Sequence, residues 1–206
     1  MLWGVLRIFF FQIEGGFGED GKSLSIWDTF CEKEGVIVDG SDGKVACDSY
    51  HQYEEDARMI SEMGVDSYRF SLAWTRIMPT QGVINPEGVQ YYRNLIAALE
   101  ARNIEPMVTI YHWDLPQALE DEGGWLNADV ALWFEEYARA CFQELGDKVR
   151  ERNTQSCSFH YPLNCRSNYG LQLMSHQLRL SMVTEMESML QEKLEWVTRC
   201  TLLPTT

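Results

Sequence analysis

Between Glu105 and Trp125 an apolar run of β character ends directly in a dense polar cluster, His-Trp-Asp-Leu-Pro-Gln, and this juxtaposition limits the folds open to the chain. Residues 106–111 are rich in β-branched and aromatic side chains without strict alternation, the pattern of a strand buried on both faces of a parallel sheet. Pro106 stands at the start of the run, where a missing N–H is tolerated. The strand then delivers His112, Trp113 and Asp114 at its carboxyl end, the end at which α/β sheets bind ligands. An imidazole, an indole and a carboxylate arriving together suit a polar ligand with an apolar face.

The remaining segments are placed relative to that strand. Residues 3–13 read as a first strand, closed by Gly15, Gly16 and Gly18. Asp39-Gly40 and Asp42-Gly43 are turn signals. From Ser49 to Met63 the period is helical, with Tyr53, Ala57, Ile60 and Met63 on one face, and Gly64 stops it. Residues 65–74 form the second strand and carry Tyr68, Arg69 and Phe70. A second helix is expected over 87–102, after the breakers Pro79, Gly82 and Pro86, and a third over 127–145 with Asn127 as N-cap. Strands two and three begin about 40 residues apart, the spacing of a βα unit, so the fold class is α/β with a parallel sheet and right-handed crossovers. A small doubly wound sheet would follow if the three units repacked.

Composition removes several functions. The 206 residues are 45% hydrophobic and 12% aromatic, enough for one substantial core. A formal charge of −14 is incompatible with a nucleic-acid footprint or an anionic membrane surface. The cysteines at 31, 47, 141, 157, 165 and 200 form no C-x-x-C pair and no zinc-like spacing, so no metal and no cofactor is expected. The apolar start, residues 1–11, is interrupted by Arg7 and lacks a basic leader and a small-x-small cleavage site. It is also far shorter than the roughly 20 apolar residues of a membrane span. It reads as a core strand, with a cytoplasmic location as the default and a secreted or lysosomal one if an export signal precedes it.

A break follows Arg150. The first 150 residues hold 26 acidic and 12 basic residues, the whole of the −14, whereas residues 151–206 hold five of each and contain no Asp, Ala or Ile. An amphipathic helix can be drawn over 180–197.

Gln12-Ile-Glu-Gly15, Glu19-Asp-Gly-Lys22, Ser25-Ile-Trp-Asp28, Tyr68-Arg-Phe-Ser71, Gly88-x-x-Tyr-Tyr92 and His112-Trp-Asp-Leu-Pro-Gln117 with Gly124-Trp-Leu126, in this order and spacing, resemble glycoside hydrolase family 1. That family holds β-glucosidases, lactase-like enzymes and myrosinases. The resemblance covers residues 2–149. It implies a (β/α)8 TIM barrel, retaining hydrolysis of small β-glycosides, and two catalytic glutamates, one in an Asn-Glu-Pro motif after the fourth strand and one in a Glu-Asn-Gly motif after the seventh. Here Gly146-Asp-Lys-Val149 is followed by Arg150-Glu-Arg-Asn-Thr-Gln-Ser-Cys157 instead of the run that leads to Asn-Glu-Pro.

The resemblance therefore implies an incomplete barrel. Residues 1–149 would supply about the first three βα units, and 150–206 a divergent tail from a frame-shifted or alternatively spliced end. No catalytic residue is assigned. Gln12, His112 and Trp113 match family positions that hold the glycone, and Arg69 matches the arginine that neighbours the nucleophile. The expected function is that of a retaining O-glycosyl hydrolase of β-glucosidase type, inactive as this chain alone. The alternative is a non-catalytic sugar- or partner-binding pseudoenzyme, or an unstable splice by-product. Glu14, Asp114 and Glu120 to Glu122 are rejected as a replacement carboxylate pair: the last three read as solvated loop charges and Asp114 as a turn or capping residue. His51 and Asp48 read as structural.

Overall fold

A computed structural model describes residues 5–8 and 10–148. The expected helix over 180–197 and the whole segment after Arg150 lie outside the described residues. The elements run β1 (Val5–Arg7), α1 (Phe10–Ile13), α2 (Ile26–Cys31), α3 (Ser49–Glu62), β2 (Ser67–Ser71), α4 (Trp74–Ile77), α5 (Pro86–Glu100), β3 (Glu105–Thr109), α6 (Gln117–Asp121) and α7 (Val130–Leu145). Single 3-10 turns occupy Glu19–Gly21 and Gly124–Leu126.

The sheet order is β1-β2-β3, and both pairs are parallel. Leu6 is level with Tyr68, and Phe70 with Val108. Strands that follow one another in space as in sequence, joined by crossovers of one hand, keep their helices on one face. A doubly wound sheet needs a reversal of strand order, and the described strands contain none. Accordingly α5 packs against α3, α7 and β3 in a single helical layer.

Period-two alternation divides the residues of β2 between two faces. Tyr68 and Phe70 enter the helical layer, where Phe70 stacks on Tyr92 with ring centroids 6.3 Å apart. Arg69 points to the opposite face. The same layer buries Trp74 completely, its indole stacked on Tyr137 at 4.5 Å. Gly88 makes this packing close: a Cβ there would lie 2.2 Å from the carbonyl oxygen of Arg76.

Several boundaries differ from those read in the sequence. The strand expected over 3–13 is confined to Val5–Arg7, and Phe10–Ile13 is a helical turn. Ile8 N–H still donates to the Arg69 carbonyl at 2.9 Å, but Phe10 N–H turns to the Ser71 hydroxyl at 3.0 Å, which ends pairing with β2. The expected strand 65–74 is Ser67–Ser71, because Trp74 N–H is drawn to the Asp114 carboxylate and α4 begins. The third strand is Glu105–Thr109 rather than 106–111. Asn127 is not the N-cap of α7, which starts after Asp129; instead its side-chain oxygen accepts the Asp129 N–H at 2.9 Å. Gly64 does follow α3, in the left-handed conformation at φ 71°. Among the described residues no helix is long and apolar enough to cross a membrane.

Candidate functional site

Three loops meet at the carboxyl ends of the strands. The segment after β1 contributes residues 22–26, the segment after β2 residues 72–77, and the segment after β3 residues 110–117. Ser23 N–H donates to the Thr75 carbonyl at 3.0 Å, Ile26 N–H to Leu115 at 2.9 Å, and Gln117 N–H to Leu24 at 2.8 Å. Backbone to backbone, each loop is fastened to its neighbour.

Gln12 lies in α1, just beyond β1, and its side chain is exposed. Its carbonyl oxygen accepts the thiol of Cys47 at 3.9 Å. Arg69 is half-buried within β2, and its Nε donates to Thr109 Oγ1 on β3 at 2.8 Å. That contact spans neighbouring strands on the face away from the helices. His112 is half-buried after β3, and its imidazole is held below the ordinary histidine range by burial and then by the positive charge of Arg69. It is therefore neutral at pH 7, and a neutral imidazole carries one donor and one acceptor nitrogen. Trp113 is 44% exposed and sits at φ 72°, a left-handed conformation that tryptophan seldom adopts.

Arg69 and His112 thus share an electrostatic environment, while Gln12 stands at the same end of the sheet on the β1 side. Among the described residues no group of three or more His, Cys, Asp and Glu is arranged to hold a metal ion.

The loop after β1 is anchored by a buried ionic cluster that sequence reading missed. Arg76 is fully buried and its Nε donates to Glu14 Oε1 at 2.7 Å. Its Nη2 reaches the carbonyls of Gly15 and Gly16 at 3.3 and 3.2 Å, and its guanidinium stacks over the Tyr50 ring at 4.0 Å. Tyr92 donates its hydroxyl proton to Glu14 Oε2 at 2.8 Å and accepts the Ala73 N–H at the same distance. Burial, followed by the Glu14 charge, keeps that phenol protonated far above its usual range. Glu14, rejected above as a stand-in catalytic carboxylate, is committed to this cluster. A signal was present: Arg76 is the one charge in the run Leu72 to Met78, which is apolar but for Thr75, where a charge needs a buried partner.

The Asp114 carboxylate is buried as well. Its Oδ1 accepts the His112 N–H at 3.1 Å and its Oδ2 the Trp74 N–H at 3.0 Å. Burial pushes its pKa up to about 7, against the lowering effect of those two amides. The turn-capping role read from the sequence is the one the geometry displays. His51 bonds Asp48 at 2.6 Å and Glu19 at 2.9 Å, which ties two loops together at the surface.

A parallel, singly wound α/β segment with polar and aromatic side chains at the carboxyl ends of its strands is the class these features define. The glycosyl hydrolase family 1 profile matches residues 1–164, and the chain belongs to that family. The match runs past residue 149, at which the recognisable motifs end. β-Glucosidase A of Acetivibrio thermocellus is 48% identical over 149 residues, covering 72% of this chain and 33% of that protein. Myrosinase 1 of Brevicoryne brassicae is 45% identical over 174 residues, 82% of this chain and 36% of that one. Among solved structures, the β-glucosidase from Thermotoga maritima in complex with castanospermine superposes with a TM-score of 0.69 at 45% identity, over 72% of this chain and 34% of that one. The chain thus spans about a third of the length of these relatives.

Proposed function

We propose that residues 10–113 supply one wall of the glycone pocket of a retaining β-glycosidase, built on the first three βα units of an eight-stranded barrel. The observation that carries this reading is that Gln12, His112 and Trp113 lie just beyond the carboxyl ends of two parallel strands, with Arg69 in the middle of the strand between them, in a glycosyl hydrolase family 1 chain. In such a wall the Gln12 amide and the neutral His112 imidazole exchange hydrogen bonds with sugar hydroxyls. The exposed indole of Trp113 covers the C–H face of the ring. Arg69 supplies fixed positive charge that would keep a neighbouring carboxylate ionised.

Retaining hydrolysis also needs two carboxyl groups about 5 Å apart, one to protonate the leaving group and one to attack the anomeric carbon. The 206 residues contain neither an Asn-Glu-Pro nor a Glu-Asn-Gly run. The buried carboxylates Glu14, Asp28 and Asp114 are engaged by Arg76, by Lys22 and the Ser25 N–H, and by two backbone amides, so they do not replace the pair. We therefore read this chain alone as able to contact a sugar without cleaving a glycosidic bond. Incubating the purified chain with an aryl β-glucoside, beside a full-length relative as positive control, tests this. No aglycone release above the enzyme-free rate is expected, and reproducible turnover would overturn it.

A further inference from the structure

Asp114 is buried completely, yet its side chain makes no use of that position for packing alone. Each carboxylate oxygen takes a different backbone amide: one belongs to His112, two residues back, and the other to Trp74, forty residues away at the start of α4. The bridge therefore runs between the loop after β2 and the loop after β3. Enclosed by it is Trp113, a non-glycine residue at φ 72° whose side chain is 44% exposed. A bulky residue holds that backbone conformation only where the surroundings over-determine it. Asp114 follows Trp113 directly, and its carboxylate holds the amide of His112 on the other side of it.

We propose that Asp114 is a positioning residue: by clasping the Trp74 and His112 amides it joins two strand-end loops and sets the Trp113 indole and His112 imidazole for a sugar. This rests on the pocket reading above and extends it to a residue that would touch no substrate. Other titratable groups face the carboxyl from around it: Glu14 from the loop after β1, and Tyr137 and Cys141 from α7. Glu14 opposes ionisation of Asp114, and burial pushes the Cys141 thiol up to about 12, so that thiol is neutral in the working range. A carboxylate can take both N–H groups; once one oxygen carries a proton, one of the two amides faces an O–H and the clasp loosens. The fastening is thus sensitive to protonation near neutral pH, as burial against two amides would make it.

The test follows the Trp74 and His112 amides of the ¹⁵N-labelled 206-residue chain by NMR from about pH 5 to about pH 9, a window that spans a burial-raised carboxyl. Both resonances are expected to move with one shared midpoint and to stop doing so in Asp114→Asn. Trp74 is the cleaner reporter, because the His112 imidazole titrates lower. Glucose added to the same samples should bind Asp114→Asn at least about tenfold more weakly than the parent, as misplacement of contacting groups would require. Should the variant fail to fold, the parent alone serves: its glucose affinity should fall as pH is lowered through the midpoint of the Trp74 amide. Independent titration of the two amides, or glucose affinity equal in parent and variant, would overturn the proposal. Shared titration in a parent that binds no glucose would support the clasp and overturn the pocket reading instead.

Discussion

Of the buried carboxylates at this end of the sheet, Glu14 and Asp114 are treated in opposite ways. Glu14 meets a guanidinium, a phenol and a loop whose carbonyls share the same arginine. Asp114 is met by two backbone amides. The first arrangement answers a full charge with a full charge. The second answers a charge with dipoles, leaves much of the desolvation cost standing, and so titrates. The β1 side of the candidate site is thereby locked, and the β3 side, which carries His112 and Trp113, is adjustable.

The contrast is broken most severely by Arg76→Met. This strands Glu14 as a buried charge and should cost about 3–5 kcal/mol of stability, read from urea unfolding. Adding Glu14→Gln should recover a large part of that loss, since an unpaired charge no longer remains.

Asp114→Asn acts through pH. With a native pKa of about 7, above the ordinary unfolded aspartate value of about 3.9, the native state holds the proton between those values while the unfolded chain has released it. This group therefore stabilises the fold most at the acid end of the window, and its contribution falls as pH rises toward 7. Unfolding measured across that window should show the decline in the parent and a flatter curve in Asp114→Asn.

Tyr92→Phe removes one donor to Glu14 and one acceptor for Ala73 N–H while Arg76 remains; about 1–2 kcal/mol is expected by the same unfolding assay. Ser25→Ala gives the smallest change. Ser25 and Asp28 cap α2 reciprocally, the Asp28 N–H donating to Ser25 Oγ at 3.3 Å and the Ser25 N–H to Asp28 Oδ2 at 2.8 Å. Its loss should cost about 1 kcal/mol in the same unfolding assay.

The α/β order, the parallel pairing and the placement of His112 and Trp113 at a strand's carboxyl end were legible because each rests on local pattern: an apolar run, a period, a breaker. Arg69 was singled out by the family resemblance rather than by local pattern. Residues 3–13 misled because their apolar and aromatic content favours a strand, whereas the Ser71 hydroxyl ends the ladder from 61 residues away. Glu14 and Asp114 show the limit most clearly. Glu14 and Arg76 are 62 residues apart, and nothing local to either names the other. Asp114 read as a turn residue, which it is, but its reach to Trp74 depends on β2 and β3 lying side by side.

The central claim is that the carboxyl ends of these three strands form a sugar-facing wall, and the most direct measurement is a map of glucose-induced shifts in the ¹⁵N spectrum of the 206-residue chain. The account predicts saturable shifts at Gln12, Arg69, His112 and Trp113, with the amides of α3 and α5 unmoved. Shifts confined to the helical layer, or none at saturating glucose, would contradict it.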